Sequence, residues 1–343
     1  MVHHALRLRL DSEALVSNWR WLQRTAGVAC GAAIKADGYG LGAREVAKRL
    51  AGAGCRDFFV STWAEAEALG PLPEGGSLSV LHGIGPADLD FALGSGARPV
   101  LNTPQQVARW KDAAPGRPCD VMVDTGMNRL GLRSDEIELL DGLTIGTLMS
   151  HLACADEDDA MNGVQRDRFA AVASAIPARR RSLANSAGIC LGSDYAFDLV
   201  RPGLALYGGI PRAEAEGNVS QVAFPEAEIV QRRTVRAGET IGYGATWAAA
   251  ADTEAAILNI GYADGYLRCF AGRGTAQASG VALPLIGRVS MDLIAIDVSA
   301  LPGLREGDWV GLDYDLPSAA ELSGLSQYEL LTGLSRRLER RWS

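Results

Sequence analysis

Lysine is scarce in this chain of 343 residues: Lys35, Lys48 and Lys111 are the only ones among its 33 basic residues, and the remainder are arginine. Chemistry that needs a reactive amine has three places to look. Histidine is nearly as rare, with His3, His4, His82 and His151 and no H-E-x-x-H spacing. The six cysteines include no C-x-x-C pair. Neither a zinc centre nor a disulfide framework has a ligand pattern to build on, so no metal is expected and the thiols read as reduced, small hydrophobes. No apolar run reaches the roughly 18 residues of a membrane helix, and residues 1–11 alternate Leu with Arg instead of forming the core of a signal peptide. We expect a cytoplasmic protein without a membrane partner. Acidic residues outnumber basic ones by 41 to 33, leaving a net charge of -8. A polyphosphate backbone meets net repulsion there, which excludes nucleic acid as a partner.

What the chain has is enough apolar material to fold. Hydrophobic residues make up 48% and charged ones 22%, and the length suits two domains or one large barrel with an appendage. Eight short β-type runs cover 28–34, 57–61, 78–83, 99–101, 120–124, 147–152, 182–185 and 199–207. Ala-, Leu-, Glu- and Arg-rich segments of helical spacing, such as 43–53 and 164–175, lie between them. Alternating strand and helix predicts parallel strands with right-handed crossovers, and eight such units close into a (β/α)8 barrel of the TIM type, with a doubly wound sheet as the competing arrangement. After Gly209 the texture changes to β-branched runs at 228–235, 254–260, 283–289, 293–298 and 308–312, broken by glycine turns. We therefore place a barrel domain over 1–218 and a mainly β domain over 219–343. The tail, 318–341, reads as two short helices with a basic, solvated end.

Lys48 and Lys111 sit in ordinary helix-surface contexts, whereas Lys35 ends an apolar run and precedes Ala36-Asp37-Gly38-Tyr39-Gly40. It would stand at the carboxyl end of the first barrel strand, where such barrels carry their sites. An ammonium among apolar neighbours loses its proton more easily and becomes a nucleophile suited to an aldehyde cofactor; a lysine snorkelling from a strand end is the plain alternative. The segment Asn185-Ser186-Ala187-Gly188 after the seventh strand and Arg201-Pro202-Gly203-Leu204 at the eighth match the usual phosphate-binding position of these barrels, or else form an ordinary Asx turn. Arg201 lies in an apolar stretch, where a cation is costly without a partner, and a ring nitrogen or a carboxylate would serve. Asp124-Thr125-Gly126-Met127-Asn128-Arg129 ends another strand and offers Arg129 to a carboxylate; His151 closes the sixth. In the second half, Gly242-Tyr243-Gly244 presents a phenol between glycines as a candidate base, or as an aromatic hairpin lid.

In this order the segments Lys35–Gly40, 124–131, His151, 185–187, 200–203, 243–246, 260–265 and 287–292 resemble the bacterial alanine racemase family, and the resemblance spans nearly the whole chain. It implies a pyridoxal 5'-phosphate enzyme with a barrel and a β domain, working as a homodimer on the small-molecule substrates L- and D-alanine. By that likeness Lys35 carries the cofactor and serves as one catalytic base. Tyr39, Ser186, Gly203, Leu204 and Tyr328 hold its phosphate, and Arg201 faces its ring nitrogen. Tyr243 is the second base, contributed across the dimer interface. Arg129 and Met291 bind the substrate carboxylate, His151 bonds the catalytic phenol, and Tyr262, Asp156, Arg268, Arg288 and Asp292 line the substrate approach.

Two bases on opposite faces of a planar carbanion suffice for racemisation, and an amine and a phenol supply them. One departure stands out: many family members carry a carbamylated lysine at the position of Met122. Arg129 must then be oriented otherwise, by an anion or by Asn128. That keeps a racemase of broader specificity open as an alternative, beside a non-catalytic pyridoxal-phosphate carrier and a fold-related decarboxylase.

Overall fold

The computed structural model describes residues 3–343. The chain divides into two compact units, Glu13–Ser220 and a second made of Gln221–Ser343 together with the N-terminal segment through Ser12. The sequence expectation assigned that N-terminal segment to the barrel.

The first strand, β1 (Leu6–Leu10), belongs to the second unit. The first unit holds β2 (Ala29–Cys30), β3 (Ala32–Ala33), β4 (Asp57–Val60), β5 (Ser77–Val80), β6 (Arg98–Leu101), β7 (Cys119–Met122), β8 (Ile145–Met149), β9 (Arg180–Ser182) and β10 (Leu199–Val200). Strands β3 to β9 pair in sequence order, all parallel. β10 pairs in parallel with β2, and amides of Asp198 and Arg201 bond the carbonyls of Arg181 and Ala184 at 3.0 and 2.9 Å, which closes the circle. β2 and β3 are one barrel strand interrupted at Gly31, where a side-chain carbon would lie 2.7 Å from the Asp57 carbonyl oxygen. The eight-strand barrel expected from the sequence is present. Continuous burial along β4 and β7, rather than alternation, is what parallel strands covered on both faces require.

Two expected strands are shorter. β9 stops at Ser182, and Asn185 instead caps the helix Ser186–Cys190, its side chain accepting from the Gly188 amide at 2.8 Å. The run 199–207 is only two residues of strand, followed by a tight turn over Leu204–Tyr207. Pro202 has no amide to continue a ladder, which ends the pairing there.

The amino ends of the barrel strands are tied by charge. Asp120, fully buried, accepts from Ser79 Oγ at 2.6 Å, the Thr147 amide at 2.7 Å and Arg98 Nε at 3.2 Å. Asp57 binds both Arg180 guanidinium nitrogens, at 2.5 and 2.9 Å, and Ser77 Oγ at 2.9 Å. This end of the barrel is built for stability, leaving the carboxyl ends for chemistry.

The second unit adds β11 (Ala223–Val235), β12 (Thr240–Ile241), β13 (Trp247–Ala248), β14 (Thr253–Leu258), β15 (Thr275–Ala278), β16 (Val281–Ile286), β17 (Ile294–Asp297), β18 (Trp309–Leu312) and β19 (Glu339–Trp342). The order β14-β17-β16-β15-β18-β11, with β11 returning to β14, is a closed antiparallel ring. β1 extends it antiparallel to β11, and β19 pairs in parallel with β1. The tail thus differs from expectation at its end. Helices occupy Leu316–Ser323 and Gln327–Thr332, but the basic terminus is an edge strand, not a solvated helix face. Glu339-Arg340-Arg341-Trp342 has little strand character of its own; the open edge of β1 supplies it.

Candidate active site

In the first unit, the catalytic candidates gather at the carboxyl ends of the barrel strands. Lys35 follows β3 and opens a turn in which Ala36, Asp37, Gly38, Tyr39 and Gly40 all have positive φ, at 51, 54, 65, 55 and 85°. For non-glycine residues this conformation costs roughly 1–2 kcal/mol each, and such strain persists where surrounding contacts over-determine it. Here Asp37 Oδ1 accepts from the Ala43 amide at 2.9 Å and starts the helix Ala43–Ala53. Glu65 Oε1 accepts from the Ala36 amide at 2.7 Å while its other oxygen takes the Ser61 amide at 2.6 Å. Gly38 is needed because a side-chain carbon would press within 3.1 Å of the Ala43 backbone. Burial lowers the affinity of Lys35 for its proton, Arg129 lowers it further, and Glu65 partly opposes both.

The same turn swings Tyr39 inward. Its ring stacks on Tyr207 with centres 4.6 Å apart, and the Tyr207 hydroxyl donates to the Ala33 carbonyl at 2.8 Å. The Tyr39 hydroxyl lies over the backbone of Gly203, where a side-chain carbon would sit 2.2 Å away. Ser186 Oγ accepts from the amides of Gly203 and Ala205 at 2.9 and 3.2 Å, so its proton is left to donate. Leu204 is buried against this turn. Together Tyr39 and Ser186 bring two hydroxyls to the Gly203 turn, donors suited to a tetrahedral anion.

Arg201 is buried, and burial pushes its guanidinium down to about 10. It donates to the Ser150 carbonyl at 2.6 Å and to Ser182 Oγ, both neutral oxygens. Among the described residues no carboxylate lies within ion-pair distance of it, so of the two partners foreseen for Arg201 the carboxylate is absent. A buried donor-only cation with neutral neighbours suits an acceptor nitrogen on a ligand. His151 is pushed down to about 3, first by burial and then by Arg201, Arg129 and Lys35, and it is a neutral imidazole at physiological pH. The cluster could hold a phosphorylated aromatic aldehyde: an amine to bond it, a cradle for its phosphate, a cation for its ring nitrogen.

Arg129 is exposed and among the described residues makes no hydrogen bond or ion pair. Its loop is shaped by Asp124 Oδ1, which accepts from the amides of Gly126 and Asn128 at 2.8 and 3.2 Å. Asn128 does not orient Arg129; its side chain donates to the Gly126 carbonyl at 3.3 Å. Asp156 is exposed on the loop after His151.

The second unit carries the other candidates. Tyr243 sits between Gly242 and Gly244, both with positive φ of 78 and 74°, and is 73% exposed. A side-chain carbon at Gly244 would lie 3.1 Å from the Arg288 guanidinium, so that cation flanks the tyrosine turn. Met291 is 53% exposed, and its carbonyl accepts from the Ala263 amide at 3.0 Å, while Ser290 accepts from Tyr262 at 3.0 Å. Arg268 lies 4.9 Å from the Tyr262 ring centre. Arg337 Nη1 donates to Asp292 at 2.7 Å, and Arg337 Nε lies 3.2 Å from the buried Asp264. Tyr328 is exposed on the helix Gln327–Thr332, whose Leu330 and Leu331 are buried.

Residues 10–211 match the family model for the alanine racemase N-terminal domain, and residues 222–342 that for the alanine racemase C-terminal domain. The chain belongs to the alanine racemase family. It is 42% identical to an alanine racemase of Acidiphilium cryptum over 97% of each chain, and 42% identical to one of Methylobacterium nodulans over 99% of this chain and 96% of that one. Among solved structures, alanine racemase from Bartonella henselae with covalently bound pyridoxal phosphate superposes with a TM-score of 0.89 at 34% identity, covering 99% of this chain and all of that one.

Met122 is the residue read from the sequence as a departure from the family's pattern. It is buried in an apolar layer with Phe59, Val100, Met149 and Leu199, with Leu81 packed alongside. Three residues that shape the site escaped sequence reading: Glu65, Tyr207 and Gln165. Glu65 looked like an ordinary helix residue, although the Thr62–Glu65 capping box was visible as a helix start. Tyr207 was absorbed into an expected strand.

Proposed function

We propose that this chain is an alanine racemase that holds pyridoxal 5'-phosphate at the barrel mouth and interconverts L- and D-alanine, supplying D-alanine for peptidoglycan. The observation that carries the reading is Lys35: a desolvated amine on a strained left-handed turn, beside a Tyr39–Gly203–Ser186 cradle and an Arg201 without an acid. Lys35 would bond the cofactor. Tyr39, Ser186, Gly203, Leu204 and Tyr328 would hold its phosphate, and Arg201 its ring nitrogen. When bound, pyridoxal phosphate withdraws electrons from the α-carbon of an amino acid joined to it, which acidifies the α-hydrogen.

This chain's residues then move the proton. Lys35 Nζ, its proton affinity reduced by burial, takes or returns it on one face. The phenol of Tyr243 from a second copy serves the other face, and neutral His151 accepts a hydrogen bond from that phenol. Arg129 and the backbone of Met291 from the second copy bind the substrate carboxylate. Tyr262, Arg268, Arg288, Asp292 and Asp156 line its approach. Arg201, a donor-only cation, would hydrogen-bond a neutral ring nitrogen and by its like charge disfavour protonation there, which would limit the cofactor's strength as an electron sink.

The homodimer reading is supported by exposure. Tyr243, Met291 and Leu293 stand in solvent beside an open groove of about 460 Å³ lined by Ile241, Ile257, Ile286, Leu293 and Arg288. Apolar side chains gathered in this way mark a surface that another protein covers. The reading places the protein in the cytoplasm, where its six free cysteines stay reduced.

Chiral chromatography of L-alanine incubated with the cofactor-loaded protein tests the assignment. D-alanine should form with the unmodified protein and fall at least about a thousandfold with Lys35→Ala. Loaded protein that yields no D-alanine would remove the alanine assignment.

A further inference from the structure

Gln165 is a fully buried amide on the helix Ala160–Ala175, on the same buried face as Asn162, Phe169 and Ala173. A core position of this kind normally takes an apolar side chain, because each amide atom left without a partner is costly. Here the partners are specific. Gln165 Nε2 donates to the His151 carbonyl at 3.0 Å and to Thr125 Oγ1 at 3.3 Å, and Oε1 accepts from the Ala153 amide at 2.8 Å. Three bonds reach two catalytic loops: the one after β7, with Thr125 and Arg129, and the one after β8, with His151, Ala153 and Asp156.

The network continues to the ring-nitrogen cation. Thr125 Oγ1 and Ser150 Oγ share a hydrogen bond of 2.8 Å, and the Ser150 carbonyl accepts from Arg201 at 2.6 Å. The same helix grips the first loop twice more. Arg168 Nη1 donates to the Thr125 carbonyl at 3.2 Å, and Met161 packs so close to Gly126 that a side-chain carbon there would lie 2.5 Å from its methyl group. Arg129 has no ion pair or hydrogen bond among the described residues. The loop's position is therefore set from the helix side.

We propose that Gln165 is the positioning residue that fixes the Arg129 and His151 loops relative to one another. The kinetic part of this inference rests on the racemase reading; the structural part does not. Two variants of the cofactor-loaded protein test it: Gln165→Leu, which removes all three bonds, and Gln165→Glu, which keeps an acceptor for Ala153. Phe169→Leu is the control. Phe169 lies one turn along the same helix, packed edge-on to Phe197 at 4.9 Å, and its replacement perturbs the helix without removing a hydrogen bond to either loop.

Amide hydrogen exchange is read first, because it needs no turnover. Gln165→Leu should speed exchange at Ala153 and at Gly126 and Asn128, whereas Phe169→Leu should leave these three near their original rates. In kinetics, KM for alanine should rise roughly ten- to a hundredfold in Gln165→Leu, with kcat changed much less and Gln165→Glu in between. Unchanged exchange at Gly126 and Asn128 in Gln165→Leu overturns the proposal, as does an equal KM rise in Phe169→Leu. If the unmodified protein proves inactive on alanine, the racemase reading fails by itself, and the exchange result alone decides the role of Gln165.

Discussion

The two units present their chemistry in opposite ways. At the barrel mouth, Tyr39, Ser186 and Arg201 are buried, and each is fixed by neighbours of its own unit. In the β unit, the polar and aromatic candidates Tyr243, Met291, Arg268 and Arg288 stand in solvent on turns. The contrast teaches that pre-organisation by burial is confined to the barrel groups. Burial tunes the barrel groups: it pushes His151 down to about 3 and Arg201 down to about 10. Tyr243, by contrast, is 73% exposed on a turn between two glycines.

The largest effect that would break this comparison comes from Tyr243→Phe. The change removes one hydroxyl from an exposed side chain, so folding and cofactor binding should stay within about 0.5 kcal/mol of the original. Racemisation should fall by about a hundredfold or more, as expected for loss of a proton-transfer group. Thermal unfolding, cofactor absorbance and D-alanine formation measured together check this. Unaltered turnover would make the β-unit turn a lid and leave the barrel to act alone.

A smaller effect sharpens the stability side of the contrast. Burial raises the Asp57 carboxyl, but the bonds from Arg180 and Ser77 outweigh it and hold it below the usual carboxylate range. A carboxyl held down in the folded state stabilises fully above its unfolded value of about 3.9, and that contribution is lost as pH falls through the folded value. Asp57→Asn should therefore cost about 1–3 kcal/mol at neutral pH, where Arg180 is left half-buried without its acid, and almost nothing in strong acid. Denaturant midpoints measured from neutral pH downward should converge for the two proteins. Parallel curves would show that the pair contributes only packing.

The smallest expected effect lies on the substrate approach. Arg268→Ala removes a cation 4.9 Å from the Tyr262 ring centre, a contact worth about 0.5–1 kcal/mol at an exposed site. Unfolding should hardly move, and KM for alanine should change by no more than about fivefold. A larger loss in kcat would move Arg268 from the approach into the site itself.

How much was legible in advance varies with the range of the interactions. Lys35 stood out because only three lysines exist and only one ends an apolar run before a glycine-rich turn. Arg201 was legible as a cation in an apolar stretch, and the eight barrel strands as repeated local runs. Gln165 gave no such signal, since its partners lie on other loops and an isolated Gln in a helical pattern reads as surface, and the capping box of Glu65 gave no sign of its bond to the Ala36 amide. The C-terminal edge strand was illegible for the same reason: its partner, β1, is more than three hundred residues away.

By itself, then, the sequence determined the alternation that builds the barrel, the position of its one site-forming amine and the turn chemistry around it. All of these follow from local periodicity and from backbone preferences of neighbouring residues. Tertiary structure alone decided what those groups experience: the desolvation of Lys35, the neutrality of His151, the absence of an acid beside Arg201 and the apolar surroundings of Met122. Electrostatic environment is a sum over neighbours brought together from distant parts of the chain, and no local pattern encodes that sum.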